Sequence, residues 1–395
     1  MSQHALLSAG AKAWRSLACP RSELRLDLTL GCGQTFRWRE TSEGHWTGVM
    51  GGRVWTLTQT DETLWYYVYC QRKNQGTENG RKRRAGVELE ASGKRLKGNL
   101  EVKEEAKETR LGVVTSEHER KEEELLRDYF QLSVKLSDLY KEWGSVDQHF
   151  KHMSNTFTGV RMLRQDPVEC LFSFICSSNN HITRIQGMVD RLCSTLGDLL
   201  CALDNTQYHD FPSIHALADS SVEARLRDLG FGYRARFLQQ SARVILDSHG
   251  PDWLSSLRSA PYLQARDALR TLPGVGPKVA DCVCLMSLDK SCAVPVDTHV
   301  WQIARRDYSC AAGSGQKSLT DKVYRDIGDF FRQLWGPYAG WAHSVLFCAD
   351  LKKFQKLKEE VSVLEEEEQN MVEKRNMKKK SKKQQVTVKK EEEIE

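Results

Sequence analysis

The chain has 395 residues, of which 40% are hydrophobic and 9% aromatic. This length is enough for two domains, and this composition can fill a sizeable core, which excludes a wholly disordered protein. No apolar run approaches the roughly 18 residues of a membrane helix, so we expect a soluble protein. The net charge of +5 is too small to indicate nucleic-acid binding by itself, so any such function has to be argued from local motifs.

The first ordered region is predicted from alternating hydrophobicity. Leucines alternate with polar residues from Leu24 to Leu30, and β-branched and aromatic runs follow at 54–58 and 64–69. Glycines separate these runs, as is usual for the turns between short strands. The pattern predicts an N-terminal antiparallel β-sheet domain whose first part covers 24–70.

Helical spacing begins further along the chain. From about Glu123 the apolar residues recur every three or four positions, which is the period of an amphipathic helix. Breaks such as Asp166-Pro167 mark the starts and ends of individual helices. We therefore expect a mostly α-helical two-lobed body over 125–350, and an α+β fold for the whole chain.

Three segments lack the apolar residues of a packed domain. Residues 1–23 predict a flexible terminus, with an organelle presequence as the alternative. Residues 71–124 contain 14 Lys/Arg, 12 Asp/Glu and no aromatic residue, which predicts a disordered charged insertion. The tail 351–395 is also highly charged and is predicted to be partly disordered. Seven of the ten residues at 374–383 are basic, as in a nuclear localisation signal or a non-specific DNA contact, and a merely solvated tail is the alternative.

The twelve cysteines do not predict a metal site. No Cys-x-x-Cys pair occurs, and the nearest cluster, Cys282, Cys284 and Cys292, does not have the spacing of a zinc or iron–sulfur site. We expect most of the cysteines to be reduced core thiols of an intracellular protein.

The segment 272–282, LPGVGPKVADC, carries the most chemical information. Helical patterns on both sides of it predict a helix-hairpin-helix at about 262–287. Gly274 and Gly276 permit a tight turn that leaves amide groups pointing outward at a helix N-terminus, an arrangement that binds an anion such as a phosphate. An ordinary helical hairpin is the alternative.

Lys278 opens the second helix of this motif, where the helix dipole disfavours a cation, and Cys282 shares its helix face. Partial desolvation there would lower the pKa of the lysine and supply a neutral amine nucleophile. Asp297, in the sequence Val-Asp-Thr-His, precedes another helical pattern and is predicted to be an N-cap. Its carboxylate would also stabilise positive charge at a sugar carbon under attack. These residues alone do not exclude that Lys278 is a solvated lysine of the first turn and that Asp297 is only a structural cap.

The hairpin, its lysine and the following Val-Asp-Thr-His resemble the helix-hairpin-helix DNA glycosylases, and the lysine resembles that of the bifunctional members, which release a base and then nick the strand. Only Cys310 and Cys348 follow this motif, whereas the iron–sulfur members carry four closely spaced cysteines there, which disfavours that branch. Further motifs resemble the eukaryotic 8-oxoguanine DNA glycosylase/lyases over 24–70 and 125–350. They are GQTFRWR at 33–39, LFSFICSSNN at 171–180, GYRAR at 232–236 and WGPYAGWA at 335–342.

The resemblance implies a role for each site residue. Lys278 attacks the sugar C1′ and Asp297 stabilises the transition state, and β-elimination then nicks the strand without a cofactor or metal. The Gly33 carbonyl accepts the hydrogen on N7 that 8-oxoguanine has and guanine lacks. The other implied base-binding residues are Cys282, His343, Phe347 and Asp350. The implied DNA-binding residues are Asn179, Arg184, Tyr233, Arg234, Gly274, Gly276 and His299.

In this family pattern Asn179 fills the space left by the everted base, Tyr233 wedges beside it, and Arg184 and Arg234 hydrogen-bond the orphaned cytosine. The implied partner is double-stranded DNA that contains 8-oxoguanine opposite cytosine, and other base excision repair proteins are further candidate partners. We expect a monomer that has no membrane contact and acts in the nucleus, with the mitochondrion as a second candidate location.

One position departs from the family, which usually has glutamine where this chain has His343. Neutral imidazole has one donor and one acceptor on opposite ring edges, so it cannot copy the two-point contact of an amide. We expect weaker or altered reading of the base, and a dependence on pH, without loss of the chemistry. Two other functions stay open: a non-catalytic helix-hairpin-helix DNA-binding protein, and a glycosylase for another lesion, which His343 favours.

Overall fold

The structure is a computed structural model that describes residues 14–69, 117–313, 315–316 and 318–359. The first 13 residues of the predicted flexible terminus, most of the predicted charged insertion and the basic cluster at 374–383 lie outside the described residues. Among the helices that are described, none has both the length and the apolar character needed to cross a membrane.

The N-terminal region is a five-stranded antiparallel sheet, as predicted. Its strands are β1 (Arg15–Ala18), β2 (Trp38–Ser42), β3 (His45–Met50), β4 (Arg53–Gln59) and β5 (Thr63–Val68). They lie in the order β1-β5-β4-β3-β2, and β4 and β5 coincide with the two β-branched and aromatic runs. One face of the sheet buries Trp38 and Trp55 against Leu126 of helix α2 (Glu117–Tyr129) and against Phe130, which directly follows that helix. This packing gives the sheet its own core.

The strand predicted from the alternating leucines at 24–30 is wrong, because this segment contains the short helix α1 (Leu26–Thr29). All four leucines are nevertheless buried. Leu24, Leu26 and Leu30 belong to the core of the sheet, whereas Leu28 belongs to the core of the helical body. The alternation therefore reflects a segment that is buried on two sides, not an extended strand.

Part of the predicted flexible terminus is ordered, because its residues 15–18 form β1 at the edge of the sheet. This strand pairs antiparallel with β5, with Leu17 opposite Leu64. Leu17 is buried, and four residues are too few to show a periodicity that sequence reasoning could detect.

The charged segment predicted over 71–124 also ends earlier than expected, since α2 begins at Glu117. Within this helix Glu122 is buried and forms ion pairs with Arg15 and Arg53 of the sheet. The charged composition of residues 117–124 therefore does not prevent them from forming a helix, because Glu122 has two cationic partners that are distant in sequence.

The rest of the described chain is the predicted helical body, built around one continuous hydrophobic core. Its helices are α3 (Leu136–Val146), α4 (Gln148–Thr156), α5 (Pro167–Ile175), α6 (Ile182–Leu196), α7 (Ile214–Ala218), α8 (Val222–Asp228), α9 (Arg234–Ser248), α10 (Trp253–Ser256), α11 (Tyr262–Leu269), α12 (Pro277–Ser287), α13 (Thr298–Tyr308), α14 (Asp321–Trp335) and α15 (Ala339–Asp350). The helical pattern did not predict a two-stranded hairpin within this body, β6 (Leu199–Leu203) and β7 (Thr206–His209). The hairpin packs against β3 and β4, where Leu203 meets Val49 and Val54.

The cysteines agree with the expectation of core thiols. Within the described part of the chain no disulfide is formed, and eight of the eleven described cysteines are buried. No group of three or more His, Cys, Asp or Glu residues among the described ones is arranged to hold a metal ion.

The sheet and the helical body are joined by a buried arginine. Arg161, with a relative exposure of only 1%, forms an ion pair with Glu23 at 2.7 Å and also donates to the Glu23 carbonyl. The same guanidinium donates to the carbonyls of Gln131 and Val134 at 2.6 and 2.7 Å, just before α3 begins. A buried charge is tolerated only when such partners replace its hydration.

We expect Arg161→Met to lower the free energy of unfolding by about 3–5 kcal/mol, because it leaves the Glu23 carboxylate without its cationic partner and the loop carbonyls without donors. Urea denaturation measures the change. Arg243→Met is the matched control, since Arg243 forms only an exposed ion pair with Asp247, and it should cost less than about 1 kcal/mol. Similar losses in both variants would contradict the role assigned to Arg161.

Candidate active site

An open cavity of about 470 Å³ lies where the loop after α1 meets α5, α12, the start of α13 and α15. This volume includes space that is open to solvent. The cavity brings together six of the residues that the sequence analysis selected, and these are Gly33, Lys278, Cys282, Asp297, His343 and Phe347.

The predicted helix-hairpin-helix is formed by α11, α12 and the turn between them. Gly274 in this turn has φ of +78°, and a Cβ atom there would lie 2.6 Å from the ring of Phe237. Gly276 is the N-cap of α12, and no side chain caps the helix. Since the first amide groups of a helix have no partner within it, the N-terminus of α12 can bind an anion.

Lys278 lies in the first turn of α12 and is half-buried. Its Nζ atom donates to Ser177 Oγ at 3.4 Å and lies 5.6 Å from the centroid of the Phe174 ring. One turn later, burial raises the pKa of Cys282 to about 12, although the charge of Lys278 acts to lower it. The thiol is therefore protonated at neutral pH, and the lysine does not face a thiolate.

Asp297 is the N-cap of α13, as predicted. Its Oδ1 atom accepts hydrogen bonds from the amides of His299 and Val300 at 2.9 and 3.0 Å. These two hydrogen bonds hold the carboxylate in one orientation while it lines the same cavity as Lys278. The Lys278 amine and the Asp297 carboxylate therefore share one open site.

Gly33 occupies a position that only glycine fits. Its φ is +84°, and a Cβ atom would lie 2.8 Å from Ile182. The neighbouring Gln34 holds this loop with its side chain. Gln34 Nε2 donates to the carbonyls of Thr29 and Arg161 at 3.0 and 2.9 Å. The main chain of Gly33 is thereby fixed at the wall of the cavity.

His343 and Phe347 lie one turn apart on α15, and their ring centroids are 6.2 Å apart. His343 has a relative exposure of 6%, and neither ring nitrogen makes a hydrogen bond of normal geometry with a described residue, although the Gly340 carbonyl acts on the ring as an acceptor. Burial lowers the pKa of His343 to about 4, against the opposing effects of the Asp297 charge and the Gly340 carbonyl. The imidazole is thus neutral above about pH 5, so the pH dependence expected from His343 does not arise near neutral pH.

Asp350 does not line this cavity, although it was selected as a base-binding residue. Instead it forms an ion pair with Arg306 at 2.9 Å, and the Nδ1 atom of His299 lies 3.8 Å from its other oxygen. The cation on α13 therefore draws this carboxylate away from the site and ties α13 to α15. His299 itself is exposed, with its ring at right angles to that of Phe347.

Four of the residues selected for DNA contact lie near the loop between α5 and α6. Asn179 is exposed with φ of +49°, and Arg184 is exposed on the first turn of α6. Tyr233 is 46% exposed, and its hydroxyl donates to the Ser178 carbonyl at 3.3 Å. Arg234 differs from the expectation, because it is buried and donates to the carbonyls of Ser178 and Asn179. Contact with a cytosine would have to compete with these hydrogen bonds.

Sequence reasoning missed three residues that shape the site. Phe174 and Ser177 contact the amine of Lys278, and Gln34 supports the Gly33 loop. All three lie within motifs that carry the family resemblance, which is the signal that could have selected them. Without that resemblance, Phe174 is typical of a helix core, Ser177 of a helix end and Gln34 of a turn, so their residue types do not indicate a site.

The chain is similar in sequence to DNA repair enzymes. Residues 16–171 match the model of the 8-oxoguanine DNA glycosylase N-terminal domain, and residues 172–327 match that of the HhH-GPD superfamily of base excision DNA repair proteins. The chain is 35% identical over 357 residues to "N-glycosylase/DNA lyase OGG1" of Arabidopsis thaliana. This alignment covers 89% of this chain and 84% of the relative. It is 40% identical over 249 residues to "N-glycosylase/DNA lyase" of Saccharomyces cerevisiae, and this alignment covers 57% of this chain and 66% of the relative.

The fold is similar to that of a solved bacterial enzyme. This is the Clostridium acetobutylicum 8-oxoguanine glycosylase/lyase in complex with double-stranded DNA containing cytosine opposite 8-oxoguanine. The TM-score is 0.62 at 25% identity, with 83% of this chain and 91% of that chain covered.

The two hairpin glycines make a matched test of the turn. We expect Gly274→Ala to lower the free energy of unfolding by about 1–3 kcal/mol, because the positive φ and the contact with Phe237 both oppose a Cβ atom. Gly276→Ala should change it by less than about 1 kcal/mol, since a Cβ atom there meets nothing within 4 Å. Thermal denaturation compares the two, and equal losses would show that the turn does not require glycine at 274.

Proposed function

The chain belongs to the 8-oxoguanine DNA glycosylase family, and from this premise we propose that it excises 8-oxoguanine opposite cytosine through Lys278 and then nicks the strand. It is an N-glycosylase/DNA lyase of base excision repair, as its relatives are named. The observation that carries the proposed mechanism is the shared cavity, in which Lys278 and Asp297 face the base-binding candidates Gly33, His343 and Phe347.

In the proposed mechanism the neutral amine of Lys278 attacks C1′ of the damaged nucleotide, and the bond from C1′ to the base breaks. Positive charge develops on the sugar ring as the base leaves. The carboxylate of Asp297, held by two helix amides, stabilises that charge. The attached amine then loses a proton and the bond from C1′ to O4′ breaks, with O4′ taking up a proton, so the sugar ring opens to a Schiff base. Removal of a C2′ proton then expels the 3′ phosphate by β-elimination.

The proposed base selection rests on the main chain of Gly33 and on the ring of Phe347. The carbonyl of Gly33 accepts the N7 hydrogen of the oxidised base, and Phe347 stacks on the base. Guanine has no hydrogen on N7, so it would leave the carbonyl unmatched and bind more weakly. The fixed loop at Gln34 supports this assignment, because a backbone acceptor discriminates only when it is rigid.

The proposed DNA contacts divide between the two ends of the cavity. Gly274, Gly276 and His299 bind the phosphate backbone near the N-termini of α12 and α13. Asn179 fills the space that the everted base leaves and Tyr233 wedges beside it. Both are exposed, and the Tyr233 hydroxyl reaches the Ser178 carbonyl next to Asn179, which supports these roles. Arg184 and Arg234 are proposed to bind the orphaned cytosine.

The partner proposed here is duplex DNA bound by a monomer, with other base excision repair proteins as further partners. A nuclear location is proposed because of this substrate and the basic residues at 374–383, and a mitochondrial fraction is the second candidate. One observation favours a second function, a glycosylase of altered lesion specificity: His343 stands at the base-reading position.

Borohydride trapping on a duplex with one 8-oxoguanine opposite cytosine tests the nucleophile. We expect a covalent adduct with the parent protein and none with Lys278→Met, because borohydride traps a protein through its Schiff base and the proposed Schiff base forms on that amine. Lys322→Met is the matched control, since Lys322 is exposed and forms an i,i+4 ion pair with Asp326. It should trap as the parent does.

Two results would contradict this assignment. An adduct that persists in Lys278→Met would place the nucleophile elsewhere. Tight binding of the lesion duplex without any adduct in the parent protein would instead indicate a monofunctional enzyme or a binding module.

We expect His343→Gln to excise 8-oxoguanine faster than the parent by about two- to tenfold, because a carboxamide offers a donor and an acceptor side by side and adds one hydrogen bond. Single-turnover excision rates for 8-oxoguanine and guanine opposite cytosine measure both the rate and the selectivity. Equal rates and equal selectivity in the two proteins would show that His343 does not read the base.

A further inference from the structure

The amine of Lys278 has one hydrogen-bond acceptor among the described residues. Its Nζ atom donates to Ser177 Oγ at 3.4 Å, and no carboxylate of the described chain lies within ion-pair distance of it. Asp297 lines the same cavity, but its Oδ1 atom accepts from two amides at the start of α13. The orientation of the amine therefore depends on the end of α5 and not on the other charged group of the site.

Ser177 acts towards this amine as an acceptor. Its hydroxyl has a single hydrogen, which it donates to the Phe174 carbonyl at 2.7 Å, so the lone pairs of Oγ are left for the amine. A hydroxyl that is used in this way is a neutral acceptor. It orients an amine without the stronger, charge-assisted bond that a carboxylate would form with an ammonium group.

The position of Ser177 is fixed by hydrogen bonds on both sides of it. Ser177 is 8% exposed, and the carbonyl of Cys176 before it accepts from Asn180 Nδ2 at 3.0 Å. The carbonyl of Ser178 after it accepts from Arg234 Nε at 3.1 Å. An acceptor that is held in place restricts the group that donates to it, since a hydrogen bond weakens when its distance or angle changes.

A second contact from the same helix limits the amine on another side. The ring of Phe174, three residues before Ser177, has its centroid 5.6 Å from Lys278 Nζ and packs edge-on against Phe36 at 5.5 Å. An aromatic face attracts a cation, but it has no single acceptor atom that could set the direction of an N–H bond. The direction of the amine is therefore set by the hydroxyl of Ser177.

Attack on a sugar carbon requires the lone pair of the amine to point at that carbon. A lysine side chain rotates about several single bonds, so few of its conformations place the lone pair correctly. When one N–H group of the neutral amine donates to Ser177, the lone pair and the second N–H group are left to face the cavity. Holding a reacting group near its attack geometry speeds the reaction without strengthening the binding of the substrate.

From this geometry, and resting on the proposed function, we propose that Ser177 is a positioning residue of the reaction. Its hydroxyl holds the amine of Lys278 with the lone pair directed at C1′ of the everted nucleotide. In this role Ser177 acts through the lysine and not on the substrate itself. The loop that carries Asn179, which is proposed to fill the space of the everted base, thus also sets the orientation of the nucleophile.

The test measures Schiff-base formation at a preformed abasic site opposite cytosine, with borohydride quenching at successive times. This substrate has already lost its base, so base recognition does not contribute to the rate. We expect Ser177→Ala to react about tenfold more slowly than the parent, because the amine loses the bond that orients it. Affinity for a duplex with a tetrahydrofuran site, which cannot form a Schiff base, should stay within about twofold.

Ser177→Thr and Ser177→Val separate the hydroxyl from the volume of the side chain. The two replacements have nearly the same shape, but only threonine has a hydroxyl. We expect Ser177→Thr to react within about threefold of the parent, since it keeps the acceptor, and Ser177→Val to be as slow as Ser177→Ala. If the added methyl group slows both, Ser177→Ala decides, because it adds no atom.

Ser287→Ala is the matched control. Ser287 is 1% exposed and donates its hydroxyl to the Val283 carbonyl at 2.8 Å at the end of α12, so it is also a buried hydroxyl bonded to a helix carbonyl. It does not line the cavity, and we expect an unchanged rate and affinity. Melting temperatures show whether each variant is folded. If Ser177→Ala is not folded, the comparison of Ser177→Thr with Ser177→Val decides.

A folded Ser177→Ala variant that reacts at the parent rate would overturn this inference and leave the proposed function intact. A slower reaction with an equal loss of affinity for the tetrahydrofuran duplex would overturn it as well, because both losses would then have a structural cause. Absence of any adduct with the parent protein would overturn the proposed function, and the inference with it.

Discussion

A buried guanidinium has to find an acceptor for nearly every N–H group that it takes out of water, and Arg161 meets this requirement by joining distant parts of the chain. Its side chain donates to Glu23 before α1 and to the loop that precedes α3, and it lies 5.9 Å from the ring of Trp341 on α15. The carboxylate of Glu23 in turn accepts from the amides of Leu136 and Ser137 at the start of α3. One cation thus ties the segment after β1 to the loop before α3 and to α15.

The same constraint reaches the candidate active site through the main chain. The carbonyl of Arg161 accepts a hydrogen bond from Gln34, and its amide donates to Thr29 Oγ1. Gln34 also binds the carbonyl of Thr29, so the loop that carries Gly33 has little freedom. A backbone acceptor that distinguishes an oxidised purine from a normal one needs this rigidity, because discrimination by a single hydrogen bond is lost when the acceptor can move aside.

Several features of the fold and the site could be predicted from local sequence. The β-branched runs predicted β4 and β5, Asp297 predicted the start of α13, and the two glycines predicted the hairpin before α12. The features that local sequence did not show have a common physical cause. Leu24 to Leu30 alternate because two separate cores bury them, and Arg234 is buried by carbonyls of a loop that lies more than fifty residues earlier in the chain. No local pattern contains such partners.

The sequence by itself determined the chemistry that is available: a lysine at a helix start, a carboxylate at a helix cap and the family in which that combination occurs. These are local properties, since they depend on residue type and on spacing along one or two helices. The tertiary structure alone decided that Asp350 turns to Arg306, that Lys278 lies against Phe174, and that neither nitrogen of His343 makes a hydrogen bond of normal geometry with a described residue. Desolvation and pairing depend on residues that are remote in sequence, so they take their values only once the chain has packed.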